Sequence, residues 1–122
     1  MSSVLLIDDD RTMVGLLGAL LKLDGFETID GAGGKDLLAL VHQRRPDAIL
    51  MDVHLADRDG LGLLRDLKQD PQAAEIPVVM TSGMEMSAEC LRLGADQFLL
   101  KPYAPEALVE ILRQLTHKPR EQ

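Results

Sequence analysis

The sequence predicts an α/β fold, a doubly wound five-stranded parallel sheet with helices on both faces. Short apolar runs alternate five times with stretches of helical period, with no repeat, low-complexity segment or linker between them. The central run, Ile49-Leu50-Met51-Asp52-Val53-His54, is apolar but for one carboxylate, as in a strand buried on both faces. Right-handed crossovers would bring every strand-to-helix loop to one sheet edge, and four of those loops carry reactive side chains.

Val4-Leu5-Leu6-Ile7 forms the first strand, stopped by Asp8-Asp9-Asp10, of which Asp9 or Asp10 can cap the next helix. Met13, Leu16, Leu17, Leu20 and Leu21 recur at helical spacing, and Gly25 marks the stop. Phe26 to Ile29 alternates like a strand near an edge, and Gly31 to Gly34 form a turn. Leu37, Leu38, Leu40 and Val41 mark a second helix that ends before Pro46. The central strand spans 48–52, and Leu61, Leu63, Leu64 and Leu67 line the third helix, ended by Asp70-Pro71. The fourth strand is placed at Ile76 to Met80, running into Thr81-Ser82-Gly83. A short helical piece with Ala88, Leu91 and Leu93 stops at Gly94. Phe98-Leu99-Leu100 is the fifth strand, ended by Lys101-Pro102, and a last helix runs from Pro105 to Leu115 with Leu108, Ile111, Leu112 and Leu115 inward.

The chain of 122 residues fits one domain, 1–122, and 46% apolar with 27% charged residues is a globular balance rather than a disordered one. A net charge of −7 argues against direct nucleic-acid binding, which needs a basic face. The single cysteine, Cys90, cannot form an internal disulfide, and Val4 to Ile7 is too short for a signal or membrane segment. A cytoplasmic location is the expectation. Cys90, Met80, Met84 and Met86 read as packing residues, and His42, His54 and His117, which lack ligand spacing, as surface or loop residues.

Asp8-Asp9-Asp10, Asp52, Thr81-Ser82 and Lys101 converge on the carboxyl edge of the sheet, where open α/β sheets bind ligands. Carboxylates about 5 Å apart repel by roughly 3 kcal/mol per pair at an effective dielectric near 20, so a compensating cation is expected. Oxygen donors without His or Cys side chains select Mg²⁺ or Mn²⁺, which keep waters and accept phosphate oxygens. Lys101 and Ser82 suit phosphoryl oxygens, and a carboxylate can serve as nucleophile by forming an aspartyl phosphate. Asp52, ending the central strand, is the candidate.

These residues resemble the receiver domain of two-component response regulators, a CheY-like superfamily. The resemblance lies in Val4-Leu5-Leu6-Ile7-Asp8-Asp9-Asp10, Ile49-Leu50-Met51-Asp52, Asp59-Gly60, Pro77-Val78-Val79-Met80-Thr81-Ser82-Gly83 and Gly94-Ala95-Asp96-Gln97-Phe98-Leu99-Leu100-Lys101-Pro102-Tyr103. It implies the flavodoxin-like strand order 2-1-3-4-5. It implies Asp52 as phosphoacceptor, Asp9 as a direct Mg²⁺ ligand, Asp8 acting through water and the main-chain carbonyl of His54 completing the set. Ser82 would be the switch hydroxyl, Lys101 the phosphate-binding lysine, Phe98 the switch aromatic, and Lys101-Pro102 a cis peptide. The donor would be a sensor histidine kinase or phosphotransfer protein, with the signal relayed to a downstream protein through the α4-β5-α5 face. Ala56 stands where the family often has Pro, and Phe98 has no hydroxyl to anchor an inward state. The interval from Ser82 to Gly94 is short by roughly one helical turn, so a shortened fourth helix is expected. His54 and Met84 flank the site and are expected to tune the lifetime of the phosphate.

Three other readings compete. A receiver-fold docking module would never be phosphorylated, and only the shortened helix favours it. A haloacid-dehalogenase-type phosphatase would use Asp8 and Asp10, since Asp8-Asp9-Asp10-Arg11-Thr12 fits D-x-D-x-T, but leaves Asp52 unused. A flavin-phosphate site fails on the acidic first loop, which would repel the phosphate. After Leu115 only Thr116 to Gln122 remain, so both a stand-alone receiver and part of a longer regulator or hybrid kinase fit.

Overall fold

The five apolar runs pair into one parallel sheet. A computed structural model describes residues 1–117 and contains β1 (Ser3–Ile7), α1 (Arg11–Leu23), β2 (Glu27–Asp30), α2 (Leu37–Arg44), β3 (Ala48–Asp52), α3 (Gly60–Gln69), β4 (Val78–Ser82), α4 (Ser87–Arg92), β5 (Gln97–Leu100) and α5 (Pro105–His117). Residues 118–122, and the side chain of His117 that the sequence assigns to the surface, lie outside the described residues. The strand order is β2-β1-β3-β4-β5, so the flavodoxin-like winding is present. Register sets Leu6 beside Leu50, Ile7 beside Met51 and Asp52 beside Thr81.

Strand alternation divides the core into two layers. Leu5, Ile7, Ile49, Met51, Val78 and Met80 face α2, α3 and α4, where they meet Val41, Leu64, Leu67 and Cys90. Val4, Leu6, Ala48, Leu50 and Val79 face α1 and α5, where they meet Val14, Leu17, Leu21, Leu108 and Leu112. Every residue of β3 and β4 is buried, as continuous apolar runs in a sheet covered on both sides require.

Helix ends follow local chemistry. Asp10 caps α1, its carboxylate accepting from Met13 N–H at 3.1 Å, so the cap is Asp10 rather than Asp9. Asp59 caps α3 through Leu61 N–H at 3.1 Å. Gly25 and Gly94 take φ of +89° and +108° after α1 and α4, the left-handed turn that stops a helix without a side-chain penalty.

Five expectations shift, the first being Met84, which is exposed in the loop after β4 rather than a packing residue. Leu16 is half exposed, because the inward stripe of α1 is Val14, Leu17 and Leu21. Val109 joins Leu108 and Leu112 in the inward face of α5, while Ile111 and Leu115 are only partly buried. In α4, six residues long as the shortened interval predicts, the buried residue is Cys90, while Leu91 is half exposed. β4 begins at Val78 rather than Ile76, after Pro77, so Thr81 and Ser82 belong to the strand and not to the loop beyond it.

Candidate functional site

Asp8, Asp52 and Lys101 meet at the carboxyl edge of the sheet. Each lies at the end of an apolar strand, and the order β1-β3-β4-β5 lets the ends of β1, β3 and β5 converge across a short distance. Lys101 Nζ donates to Asp52 Oδ2 at 2.7 Å and to Asp8 Oδ2 at 3.2 Å. The Asp52 side chain is 12% exposed and that of Lys101 24%, so water screens the pair only in part. His54 N–H donates to Asp52 Oδ1 at 2.8 Å, and Asp10 N–H to Asp8 Oδ1 at 2.9 Å. Lysine and main-chain donors thus offset the repulsion expected between the two acids.

The other candidates stand around this core. Asp9 is exposed, its carboxylate accepting from Ala56 N–H in the loop after β3, and a side chain at Gly33 would overlap it. Asp10 is spent on capping α1. Ser82 is fully buried, but its oxygen accepts from Met84 N–H at 3.0 Å and lies 4.0 Å from Met86 Sδ, on the layer away from Asp52. Phe98 is partly buried against the layer that α3 and α4 cover. The His54 side chain is exposed, its main chain bridging to Asp59. His42 is exposed on α2 and contacts Asp70 at 2.6 Å. The Lys101-Pro102 peptide is cis.

Three neighbours named in the sequence were given no role at the site there. Tyr103 packs against the α1 and α5 layer and feels the charges of Lys101, Asp8 and Asp52; its position two residues after Lys101 was the available signal. Ala56 contributes only a main-chain N–H, for which no residue type is diagnostic. Thr81, recognised only as part of a hydroxyl pair, is buried and its Oγ has no hydrogen-bond partner among the described residues.

The donor set fits a hard divalent cation. Two carboxylate oxygens, Asp8 Oδ2 and Asp52 Oδ2, already share one cationic partner, and Asp9 stands at the exposed rim. Among the described residues no three acidic, histidine or cysteine side chains are gathered into a ready-made chelate. Such an arrangement can hold a cation that also takes exogenous oxygens, with one carboxylate free to act as nucleophile.

The site and its surroundings set an alkaline limit to stability. Burial pushes the Cys90 thiol above its ordinary 9.0, helped by Glu89 and Glu85. Burial also pushes the Tyr103 phenol above 10.0, with Lys101 opposing and Asp8 and Asp52 adding to the rise. Burial pulls Lys101 down, but the hydrogen bond and charge of Asp52 and then those of Asp8 outweigh it, leaving it above 10.5. In all three cases the folded protein keeps its proton to higher pH than the unfolded chain. Stability therefore falls as pH rises past the unfolded values, and the Lys101 contribution, full below 10.5, is lost through its raised value. Urea midpoints measured against pH are expected to fall from about pH 9 to about pH 11. A midpoint that holds or rises across that range contradicts the assignment.

The family model of the response regulator receiver domain matches residues 4–113. Over 121 residues the chain is 35% identical to the transcriptional regulatory protein CpxR of Klebsiella pneumoniae, covering 97% of this chain and 50% of that protein. It is 30% identical to the polar-differentiation response regulator DivK of Brucella anthropi, covering 91% of this chain and 93% of DivK. The chain spans about half the length of several relatives it matches, including CpxR and the phosphate regulon regulator PhoB of Pseudomonas aeruginosa. Among solved structures, the receiver domain of a Pseudomonas aeruginosa sensor histidine kinase, with a magnesium ion coordinated in its active-site cleft, superposes with a TM-score of 0.85 at 25% identity, covering 96% of this chain and 98% of that one.

Proposed function

The chain belongs to the response regulator receiver domain family, and from that membership we propose that it is a phosphorylation-switched receiver whose phosphoacceptor is Asp52. Residues 1–122 act as one receiver unit in the cytoplasm. The donor is a phosphohistidine on a sensor histidine kinase or phosphotransfer protein, and the recipient of the signal is a protein rather than nucleic acid. The observation that supports this is the Asp52 carboxylate, buried at the end of the central strand and held by Lys101 at 2.7 Å.

An oxygen of Asp52 attacks phosphorus, the P–N bond to the donor imidazole breaks, and the electron pair stays on the ring nitrogen. Asp8, Asp9, Asp52 and the main-chain carbonyl of His54 would hold Mg²⁺ or Mn²⁺, which when bound neutralises charge between the carboxylates and the phosphoryl oxygens. Lys101 moves with the negative charge from the carboxylate to the phosphoryl oxygens. Ser82 gives up Met84 N–H and Met86 Sδ to reach the same oxygens. Phe98 fills the space vacated beside the α3 and α4 layer. The readout passes to the face formed by the short α4, β5 and α5, where Leu91 and Leu100 are already about half exposed. The domain is a phosphoacceptor and supports only its own phosphorylation and dephosphorylation.

Incubation with acetyl phosphate and Mg²⁺, followed by borohydride trapping and peptide mapping, is expected to place the label on Asp52. Chelation of the metal by EDTA is expected to suppress uptake. Label on Asp8, or none with either acetyl phosphate or a phosphohistidine donor, overturns the reading; the second outcome would leave a docking module.

A further inference from the structure

Among the described residues, Thr81 is the buried polar group that the proposed phosphoryl transfer leaves without a task. It is 1% exposed, and its hydroxyl oxygen has no hydrogen-bond partner among the described residues. Folded chains leave few hydroxyls desolvated and unpaired, because the lost hydration is not recovered.

Its place in the sheet shows which site it serves. Along β4, Val78 and Met80 face the α3 and α4 layer and Val79 faces the α1 and α5 layer. Alternation therefore points Thr81 toward the α1 and α5 layer and Ser82 away from it. By the same rule Asp52 shares the face of Leu50, and Lys101 that of Leu99. Register sets Thr81 directly beside Asp52 on one side and Leu99 on the other. The hydroxyl on the face of Asp52 is thus Thr81, whereas Ser82 is held on the opposite layer by Met84 N–H and Met86.

Unphosphorylated Asp52 has its donors already, Lys101 on Oδ2 and His54 N–H on Oδ1. A phosphoryl group on Asp52 carries the negative charge outward, and Lys101 follows it, leaving a carboxyl oxygen short of a donor in a desolvated setting. We propose that Thr81 is a catalytic residue of the phosphorylated state, its hydroxyl donating to the Asp52 carboxyl and speeding loss of the phosphoryl group. This rests on Asp52 being the phosphoacceptor. In hydrolysis a water oxygen bonds to phosphorus, the P–O bond to Asp52 breaks, and the electron pair returns to the carboxylate while a water proton leaves with the phosphate. A donor to that carboxylate bonds more strongly as the charge develops, which lowers the barrier.

The test uses the full chain with Thr81→Val, which keeps the shape and removes the hydroxyl, and Thr81→Ser, which keeps the hydroxyl. Each protein is labelled with acetyl phosphate and Mg²⁺, freed of donor, and its phosphate loss followed with time. Thr81→Val is expected to hold its phosphate about five- to ten-fold longer than the parent, and Thr81→Ser to decay within about two-fold of it. Unphosphorylated Thr81→Val is expected to unfold at the same temperature as the parent or higher, since no hydrogen bond is lost there. Unchanged decay in Thr81→Val, equally slow decay in both variants, or a lower unfolding temperature for Thr81→Val overturns the proposal. A parent that takes up no label removes the Asp52 reading and this one with it, whereas a labelled parent with unchanged Thr81→Val decay removes this one alone.

Discussion

Asp52→Asn is expected to abolish phosphoryl uptake from acetyl phosphate, by about 100-fold or more, while the protein stays folded. An amide is not a competent nucleophile at phosphorus, so the loss should be close to complete rather than graded. The fold survives because the amide oxygen of the substituted side chain can still accept from His54 N–H, and Lys101 keeps its partner Asp8 at 3.2 Å. Removing one of two carboxylates that share a single lysine also relieves repulsion, so the unfolding midpoint should not fall. Asp8→Asn separates the competing chemistry. A receiver with a weakened metal site keeps a slow uptake on Asp52, whereas a phosphatase acting through Asp8 and Asp10 would lose activity with Asp8 and be indifferent to Asp52. Uptake that survives Asp52→Asn, on any residue, sinks the assignment.

Gly60→Ala is expected to cost about 3 kcal/mol of stability and to lower the unfolding midpoint by roughly 10 °C. A methyl group at Gly60 would lie 2.7 Å from both Cα and the carbonyl oxygen of Val53 and would overlap the carbonyl oxygen of Asp52. All three obstacles are backbone at the end of β3, so no side-chain rotation relieves them. The start of α3 has to lift away, and it takes with it the bond from Gly60 N–H to the Val53 carbonyl at 2.9 Å. Because that backbone carries Asp52, phosphoryl uptake should slow as well. Gly15→Ala is the control, since a methyl there meets nothing within 4 Å on an exposed part of α1. It is expected to stabilise by about 0.5–1 kcal/mol through helix propensity alone. Equal midpoints for Gly60→Ala and the parent would show that α3 does not seat against β3 as described.

Much of the architecture was legible in the residues because it is written in local periods. Ala48-Ile49-Leu50-Met51 is apolar without alternation, which only a strand covered on both faces tolerates, and all of β3 is buried. The resemblance to receiver domains, against which the interval before Gly94 is short, announced the six-residue α4. Where the periods misled, burial was decided by neighbours. Leu16 and Leu20 fit the same helical count as Leu17 and Leu21, yet only the stripe of Val14, Leu17 and Leu21 meets the sheet fully. In α4, Cys90 turned inward ahead of Leu91 because one turn and a half of helix leaves room for a single buried position.

The sequence by itself determined which strands exist, that they run parallel, and that Asp8, Asp9, Asp52, Ser82 and Lys101 reach one edge of the sheet. Those properties follow from composition and spacing within a few residues, and from the handedness of the crossovers. The tertiary structure alone decided who partners whom at that edge. Lys101 reaches Asp52 and Asp8 across 49 and 93 residues of chain, and Asp9 finds Ala56 N–H across 47. It also decided the register of β4 on β3, which pairs Thr81 with Asp52 and so sets it on the face of Asp52 while Ser82 turns toward Met86. A strand has a period of two, so a shift of one residue exchanges its faces; register is fixed by pairing with distant strands and cannot be read from the strand itself.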